Sequence, residues 1–209
     1  ALLALAVRIP AYLADKGLAL DAALSGTLRR QTHTCDAILQ GGGYTLAAQR
    51  WPELNEFDSH AIIATVHPHP LEKTDSPERY REHFRLLRDG LRQWMNGVVS
   101  PKGMPSYQEF RHGVVSVLDH IRKNHSGNVL LVSSGGPIST AVGHVLATSP
   151  ETTIELNLRI RNSSVTEFDF SKTGVVYEEN EVTVTSFPVI HAASGAVGYR
   201  FDFAVLTFV

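Results

Sequence analysis

Asn128-Val-Leu-Leu-Val-Ser133 opens the most informative part of this chain: Ser134-Gly135-Gly136 follows it, and then Pro137-Ile-Ser-Thr-Ala-Val-Gly-His-Val-Leu-Ala147. The apolar run predicts a strand that is buried on both faces, and the small residues after it predict the start of a helix. A helix N-terminus presents unpaired N–H groups and the positive end of the dipole, and glycines let a ligand approach the backbone. This junction therefore predicts an anion-binding site at Ser134, Gly135 and Gly136.

A second strand-to-helix junction lies earlier in the chain. Residues 21–25 form a short apolar run, Gly26-Thr27 breaks it, and apolar residues at 28, 35 and 39 follow roughly helical spacing. Arg29 and Arg30 fall in the first turn of this helix, where the dipole disfavours cations. A bound phosphate would compensate them, because a guanidinium matches phosphate oxygens with two hydrogen bonds. Extension of both side chains into water explains the pattern equally well.

Composition limits the classes of protein to which the chain can belong. Its 209 residues, 43% of them apolar, predict one domain with a substantial core. A formal net charge of -2 gives no basic surface for nucleic acid or an anionic membrane, so a small ligand is the expected partner. The single cysteine, Cys35, excludes an intrachain disulfide, and its place on the apolar side of a helix favours a core role. We expect a cytoplasmic protein, and the sequence leaves open whether it forms a homo-oligomer.

Helices and strands alternate along the chain. The first residues predict an amphipathic helix that kinks or breaks at Pro10 and ends near Gly17. No segment of the sequence holds the roughly 18 apolar residues that a membrane span requires. Helices are also predicted from Ser76-Pro77-Glu78 to about Trp94 and from Tyr107 to about Asn124. After Pro150, alternation predicts two or three strands within 165–187, and 203–209 is typical of a buried strand.

This order of elements predicts the fold class. Helices that alternate with buried strands indicate an α/β fold with an open, mostly parallel sheet and helices on both faces. In such a sheet, ligands bind at the carboxyl ends of the strands. We expect a single domain over residues 1–209, with a helical cap or lid inserted at about 59–105.

Four segments, in order, resemble motifs of the histidine phosphatase superfamily, which includes phosphoglycerate mutase-like phosphatases. They are Ser25-Gly-Thr-Leu-Arg-Arg30 with Thr34, Leu54-Asn-Glu-Phe-Asp58, Val129 to Gly136, and Asn162-Ser-Ser-Val-Thr166. The resemblance covers roughly residues 1–58 and 106–191. It implies a three-layer α/β/α sandwich that needs no cofactor or metal, and a small phosphorylated substrate.

The resemblance also implies a phosphohistidine mechanism. In the family, the histidine of an Arg-His-Gly turn attacks phosphorus, an acidic residue protonates the leaving oxygen, and water then releases phosphate. A neutral imidazole is a competent nucleophile, and arginines stabilise charge on the transferring group. By position, Arg30 is the phosphate clamp, Glu56 is the general acid, and Ser134, Gly135 and Gly136 bind the phosphoryl group.

Two departures from the family pattern affect the expected site. We expect the nucleophile strand and its loop to lie upstream of Ala1, because Arg111-His112-Gly113 falls within a predicted helix rather than after a strand. Ser134 stands where the family usually has a second histidine. A serine hydroxyl still donates one hydrogen bond but carries no positive charge, so we expect weaker phosphate stabilisation.

Other motifs give weaker indications. His67-Pro68-His69 lacks the convergent ligands of a metal site. The histidine at 191 is expected to be structural, and His33 is expected either to border the pocket or to face solvent. The arginines of the 76–94 helix could hold an anion, although their interspersed acids favour a salt-bridged surface; they are Arg81, Arg85, Arg88 and Arg92.

Three functions remain open on the sequence alone. A phosphomonoester hydrolase ranks first. A catalytically impaired phosphoryl-ligand-binding relic ranks second. A serine hydrolase that uses Ser134 ranks third, because Val132 replaces the first glycine of the Gly-x-Ser-x-Gly pattern.

Overall fold

The computed structural model describes residues 2–69, 75–162, 164–170, 184–188 and 202–208. Helices and strands follow one another along the chain, with a short 3₁₀ turn over Pro52–Leu54. In order they are α1 (Leu2–Asp15), β1 (Leu20–Ser25), α2 (Arg29–Gly41), β2 (Gln49–Arg50), α3 (Ser59–Ala64), α4 (Pro77–Met95), α5 (Tyr107–Asn124), β3 (Gly127–Ser133), α6 (Gly135–Val145), α7 (Pro150–Arg159), β4 (Ser164–Phe170), β5 (Val184–Pro188) and β6 (Asp202–Phe208).

The strands form one six-stranded sheet in the order β2-β1-β3-β6-β4-β5. β1 pairs in parallel with both β2 and β3, and β4 pairs in parallel with β6. β3–β6 and β4–β5 are antiparallel pairs. The register places Val132 beside Ser25, so β1 and β3 end at the same edge of the sheet. The two strand-to-helix junctions are therefore neighbours in space.

Helices cover both faces of the sheet. On one face, α5 and α6 pack against alternate strand residues such as Leu24, Val129 and Leu131. On the other face, α1 and α2 pack against the residues between them, such as Ala23 and Leu130. A strand that is buried on both faces needs apolar side chains at every position, which explains the unbroken run in β3. The predicted α/β class with a mostly parallel sheet is confirmed.

Helices α3 and α4 build a third apolar cluster. Ile62 of α3 packs with Leu87, Leu91 and Trp94 of α4, and the cluster continues to Ile154 of α7. Gly90 allows this approach, because a Cβ there would lie 2.7 Å from the Ile62 side chain and 2.8 Å from its carbonyl oxygen. The cap role assigned to residues 59–105 stays a prediction.

Two helices differ from the sequence prediction. Pro10 does not break α1, which continues to Asp15; Ile9, Pro10 and Leu13 are buried, and this packing compensates for the missing backbone N–H. Helix α7 was not predicted, although Ser149 caps it and Pro150 occupies its first turn. Residues 171–183, part of the stretch in which the sequence predicts two or three strands, lie outside the described residues. Among those described, no helix is long and apolar enough to cross a membrane.

Candidate active site

The loop after β1 is fixed by the side chain of Asn55. The Asn55 Oδ1 atom accepts hydrogen bonds from the backbone N–H groups of Thr27 at 2.7 Å and Leu28 at 3.3 Å. Its Nδ2 atom donates to the Thr27 hydroxyl at 2.7 Å. Gly26 has no room for a Cβ, which would overlap the side chains of Asn55 and Gln31. One side chain thus holds the turn from which α2 begins.

Arg29 and Arg30 take different directions from that turn. Arg29 is exposed. Arg30 is half-buried, and its Nη2 atom donates to the Ser134 hydroxyl oxygen at 3.3 Å. The guanidinium of Arg30 therefore meets the start of α6, where the sequence predicts an anion. Arg29 thus extends into water, as one interpretation predicts, whereas the phosphate expected at Arg30 stays a prediction.

Gln31 connects the two junctions beneath Arg30. It is 1% exposed, and its Nε2 atom donates to the Leu54 carbonyl oxygen at 2.8 Å and to the Ser134 hydroxyl oxygen at 2.9 Å. Its Oε1 atom accepts the backbone N–H of Leu28 at 3.3 Å. The amide therefore links the helix that carries Arg30 to the strand end that carries Ser134.

Glu56 lies against the N-terminus of α6. The Gly136 N–H donates to its two carboxylate oxygens, at 3.1 and 3.2 Å. A Cβ at position 136 would overlap both the Glu56 carboxylate and the Phe57 ring, so glycine is required for this approach. The N–H that the sequence assigns to a phosphoryl oxygen is thus engaged by the carboxyl group of Glu56.

A surface cavity of about 430 Å³ shares Asn55 and Glu56 with this site. Its wall combines the aromatic rings of Phe57 and Phe110 with three further carboxylates, those of Glu53, Asp58 and Glu109. Ser106 donates to Glu109 from its hydroxyl and its backbone N–H, and these bonds hold the pKa of the Glu109 carboxyl below its ordinary value. The wall of the cavity is therefore negatively charged at neutral pH.

The structure places Arg111-His112-Gly113 in the interior of α5, as the sequence predicts. Arg111 and His112 are exposed, and Arg111 contacts His144 at 2.9 Å between Nη2 and Nδ1. Burial, together with the Arg111 charge, lowers the pKa of His144. Gly113 lines the cavity that Glu56 also lines, whereas the side chains of Arg111 and His112 are exposed.

Other candidate residues lie away from the site or outside the described residues. Cys35 is fully buried, and burial raises its pKa to about 11, as expected of a core thiol. His33 is exposed. The rings of His67 and His69 are 6.0 Å apart, and no three metal-binding side chains converge in the part of the chain that the structure describes. The histidine at 191 lies outside that part.

The basic stripe of α4 forms salt bridges rather than an anion site. Three of its four arginines pair with acids three residues earlier on the same helix, and Arg88 pairs with Glu155 of α7 at 2.9 Å. These side chains are between 40% and 75% exposed, so the pairs contribute little to stability. The salt-bridged interpretation is the one that the geometry supports.

Sequence reasoning missed three residues that hold the site together: Gln31, Asn55 and Arg50. Arg50 ends β2, and its guanidinium donates to the Ser25 hydroxyl and pairs with Asp36. Gln31 and Asn55 lie in or next to segments already singled out, whereas Arg50 does not. The burial of Gln31, which implies partners for its amide, is visible only in the structure.

The geometry brings two strand-to-helix junctions together through the contact of Arg30 with Ser134. The family model of the histidine phosphatase superfamily (branch 1) matches residues 4–182, and the chain belongs to this superfamily. Among solved structures, the phosphoglycerate mutase from Bacillus anthracis str. Sterne is similar at 18% identity and a TM-score of 0.47. That match covers 69% of this chain and 66% of the mutase chain, just under two thirds of the latter. A search of curated proteins found no match.

Proposed function

We propose that the protein is a metal-independent phosphomonoester hydrolase that acts on a small phosphorylated metabolite. The observation that carries this proposal is the meeting of Arg30, Ser134 and Glu56 at the start of α6. A guanidinium and a hydroxyl supply donors to phosphoryl oxygens, and a carboxyl group within the same site supplies an acid. Metal is not required where arginine neutralises the charge that develops on the transferring group.

The proposed reaction has two steps. A histidine nitrogen attacks phosphorus, the bond from phosphorus to the ester oxygen breaks, and Glu56 gives its proton to the departing oxygen. Water then attacks the phosphorus of the phosphohistidine, the bond from phosphorus to the histidine nitrogen breaks, Glu56 takes a proton from that water, and inorganic phosphate leaves. The superfamily assigns the nucleophile to a histidine that follows a strand. His112 does not fit that role, because it lies in the interior of α5.

The acidic wall of the neighbouring cavity limits the charge that the organic part of a substrate can carry. A phosphoglycerate carries a carboxylate beside its phosphate, and the acids on the cavity wall would repel it. A neutral or cationic alcohol meets no such repulsion. We therefore propose substrates whose organic part carries no negative charge.

A phosphoryl-ligand-binding relic is the second candidate. The residues that meet at this site in the described ranges are Arg30, Gln31, Asn55, Glu56 and Ser134, and none of them is a histidine. Such a protein binds phosphate without turning it over. The serine hydrolase alternative gains no support, because arginine and glutamine, the partners of the Ser134 hydroxyl, cannot act as a general base.

The experiment that tests the proposal compares two substrates in the presence of a chelator. The full-length protein should hydrolyse both p-nitrophenyl phosphate and an alkyl phosphate without added metal. Glu56→Gln should lower kcat more on the alkyl phosphate, because its leaving oxygen needs protonation and nitrophenolate does not. Equal losses on both substrates would remove Glu56 as the acid. Phosphate binding without turnover would support the relic instead.

A further inference from the structure

We propose that Gln31 is a positioning residue that directs the Ser134 hydroxyl hydrogen toward a bound phosphoryl oxygen. The inference rests on the proposed function, because it assigns a role within the same phosphate site. It starts from the hydrogen-bonding capacity of a serine hydroxyl, which accepts two hydrogen bonds and donates one.

Ser134 does not cap the helix that it precedes. A serine in this position usually accepts a hydrogen bond from the N–H of the second or third helical residue. Here the second residue, Gly136, donates to Glu56, and the third, Pro137, has no N–H. No side-chain capping bond forms at Ser134, although the side chain is 1% exposed. Glu56 and Pro137 thus free the Ser134 hydroxyl for another use.

Both recorded partners of the Ser134 oxygen are donors. The Gln31 amide nitrogen lies 2.9 Å away and the Arg30 guanidinium nitrogen 3.3 Å away. A guanidinium cannot accept a hydrogen bond. The Gln31 amide cannot be reversed either, because its oxygen would then face the Leu54 carbonyl oxygen at 2.8 Å and lose the Leu28 N–H. Both acceptor positions of the hydroxyl are therefore filled by hydrogens from its neighbours.

The remaining hydrogen of the hydroxyl must point away from Gln31 and Arg30. A phosphoryl oxygen that the Arg30 guanidinium binds is the acceptor that this geometry fits, since the same guanidinium already reaches Ser134. Gln31 makes no contact with the phosphate in this account. Its hydrogen bond occupies one lone pair of the Ser134 oxygen and so restricts the rotation of the hydroxyl. The hydroxyl hydrogen is therefore oriented before the ligand arrives.

A double-mutant cycle on the affinity for inorganic phosphate tests this role. Gln31→Met retains the length of the side chain but lacks the amide donor, and we expect it to weaken phosphate binding about tenfold when Ser134 is present. In the Ser134→Ala background, the same substitution should cost less than about threefold, because the hydroxyl that it orients is gone. A purely structural role for Gln31 predicts the same factor in both backgrounds, and that result would overturn the proposal.

A second variant guards against misfolding of the first. Gln31→Leu has a similar volume and also lacks the amide donor, but its side chain is branched where that of methionine is not. The difference in its effect on phosphate affinity between the Ser134 and Ser134→Ala backgrounds isolates the hydroxyl, and we expect about a fivefold difference. Far-UV circular dichroism identifies which variants are folded. If the unmutated protein does not bind phosphate, the proposed function fails and this inference fails with it. Phosphate binding without coupling between the two positions refutes the inference alone.

Discussion

Replacing Gly136 by alanine should destabilise the protein, although alanine ordinarily favours a helix. The new Cβ would occupy the space of the Glu56 carboxylate and the Phe57 ring. Loss of a hydrogen bond from N–H to a carboxylate costs about 1.5–3 kcal/mol, and crowding of a packed ring adds about 1–3 kcal/mol. The gain in helix propensity returns up to about 1 kcal/mol. We expect the free energy of unfolding to fall by about 1.5–6 kcal/mol.

Gly113→Ala provides the matched control, because it is the same substitution inside another helix. Its Cβ would lie 3.2 Å from Cγ of Glu53, an exposed side chain that can move, so Gly113→Ala should stabilise the protein by about 0.5–1 kcal/mol. Urea unfolding followed by tryptophan fluorescence and circular dichroism measures both changes. If Gly136→Ala is as stable as the unmutated protein, or if both substitutions change the stability alike, the position of the Glu56 side chain does not depend on the glycine at position 136.

Three further predictions concern other contacts of the structure. Asn55→Ala should lower the free energy of unfolding by about 1–2 kcal/mol in urea titrations, whereas Asn55→Asp should lose less than half as much because it keeps the acceptor for two backbone N–H groups. In an NMR titration, Arg111→Gln should raise the pKa of His144 toward its ordinary value without reaching it, because burial still lowers that pKa. Since folding lowers the pKa of His144, the stability that the neutral ring provides is lost as pH falls below about 6.5. Arg111→Gln should reduce this loss of stability. An unchanged titration of His144 in the variant would contradict its contact with Arg111. Cys35 should react with a thiol reagent only after unfolding, so rapid labelling of the native protein would contradict its burial.

Local chemistry made the framework of the site predictable. The apolar run of β3 and the glycines after it indicate a buried strand and a helix start from neighbouring residues alone, and the structure has both. The end of α5 at Asn124 and its capping serine, Ser106, are equally local. Arg30 was predictable as a candidate, because a cation at a helix N-terminus calls for an anion.

Contacts between distant parts of the chain were not predictable in the same way. Gln31 bonds to Leu54 across 23 residues and to Ser134 across 103, and no spacing rule relates such positions. Glu56 reaches Gly136 across 80 residues, which the sequence could not show. The place of β6 between β3 and β4 depends on the whole sheet rather than on its own apolar pattern.

The affinity for inorganic phosphate of two neighbouring arginine variants tests the central claim most directly. Arg30→Ala and Arg29→Ala remove the same charge from the same turn of α2, but only Arg30 reaches the start of α6. By isothermal titration calorimetry at 0.15 M salt, Arg30→Ala should weaken phosphate binding about 10- to 100-fold, because a charge-assisted hydrogen bond is lost. Arg29→Ala should weaken it less than about threefold, since salt screens an exposed charge. Equal effects of the two substitutions, or no effect of Arg30→Ala, would contradict a phosphate site between these two junctions.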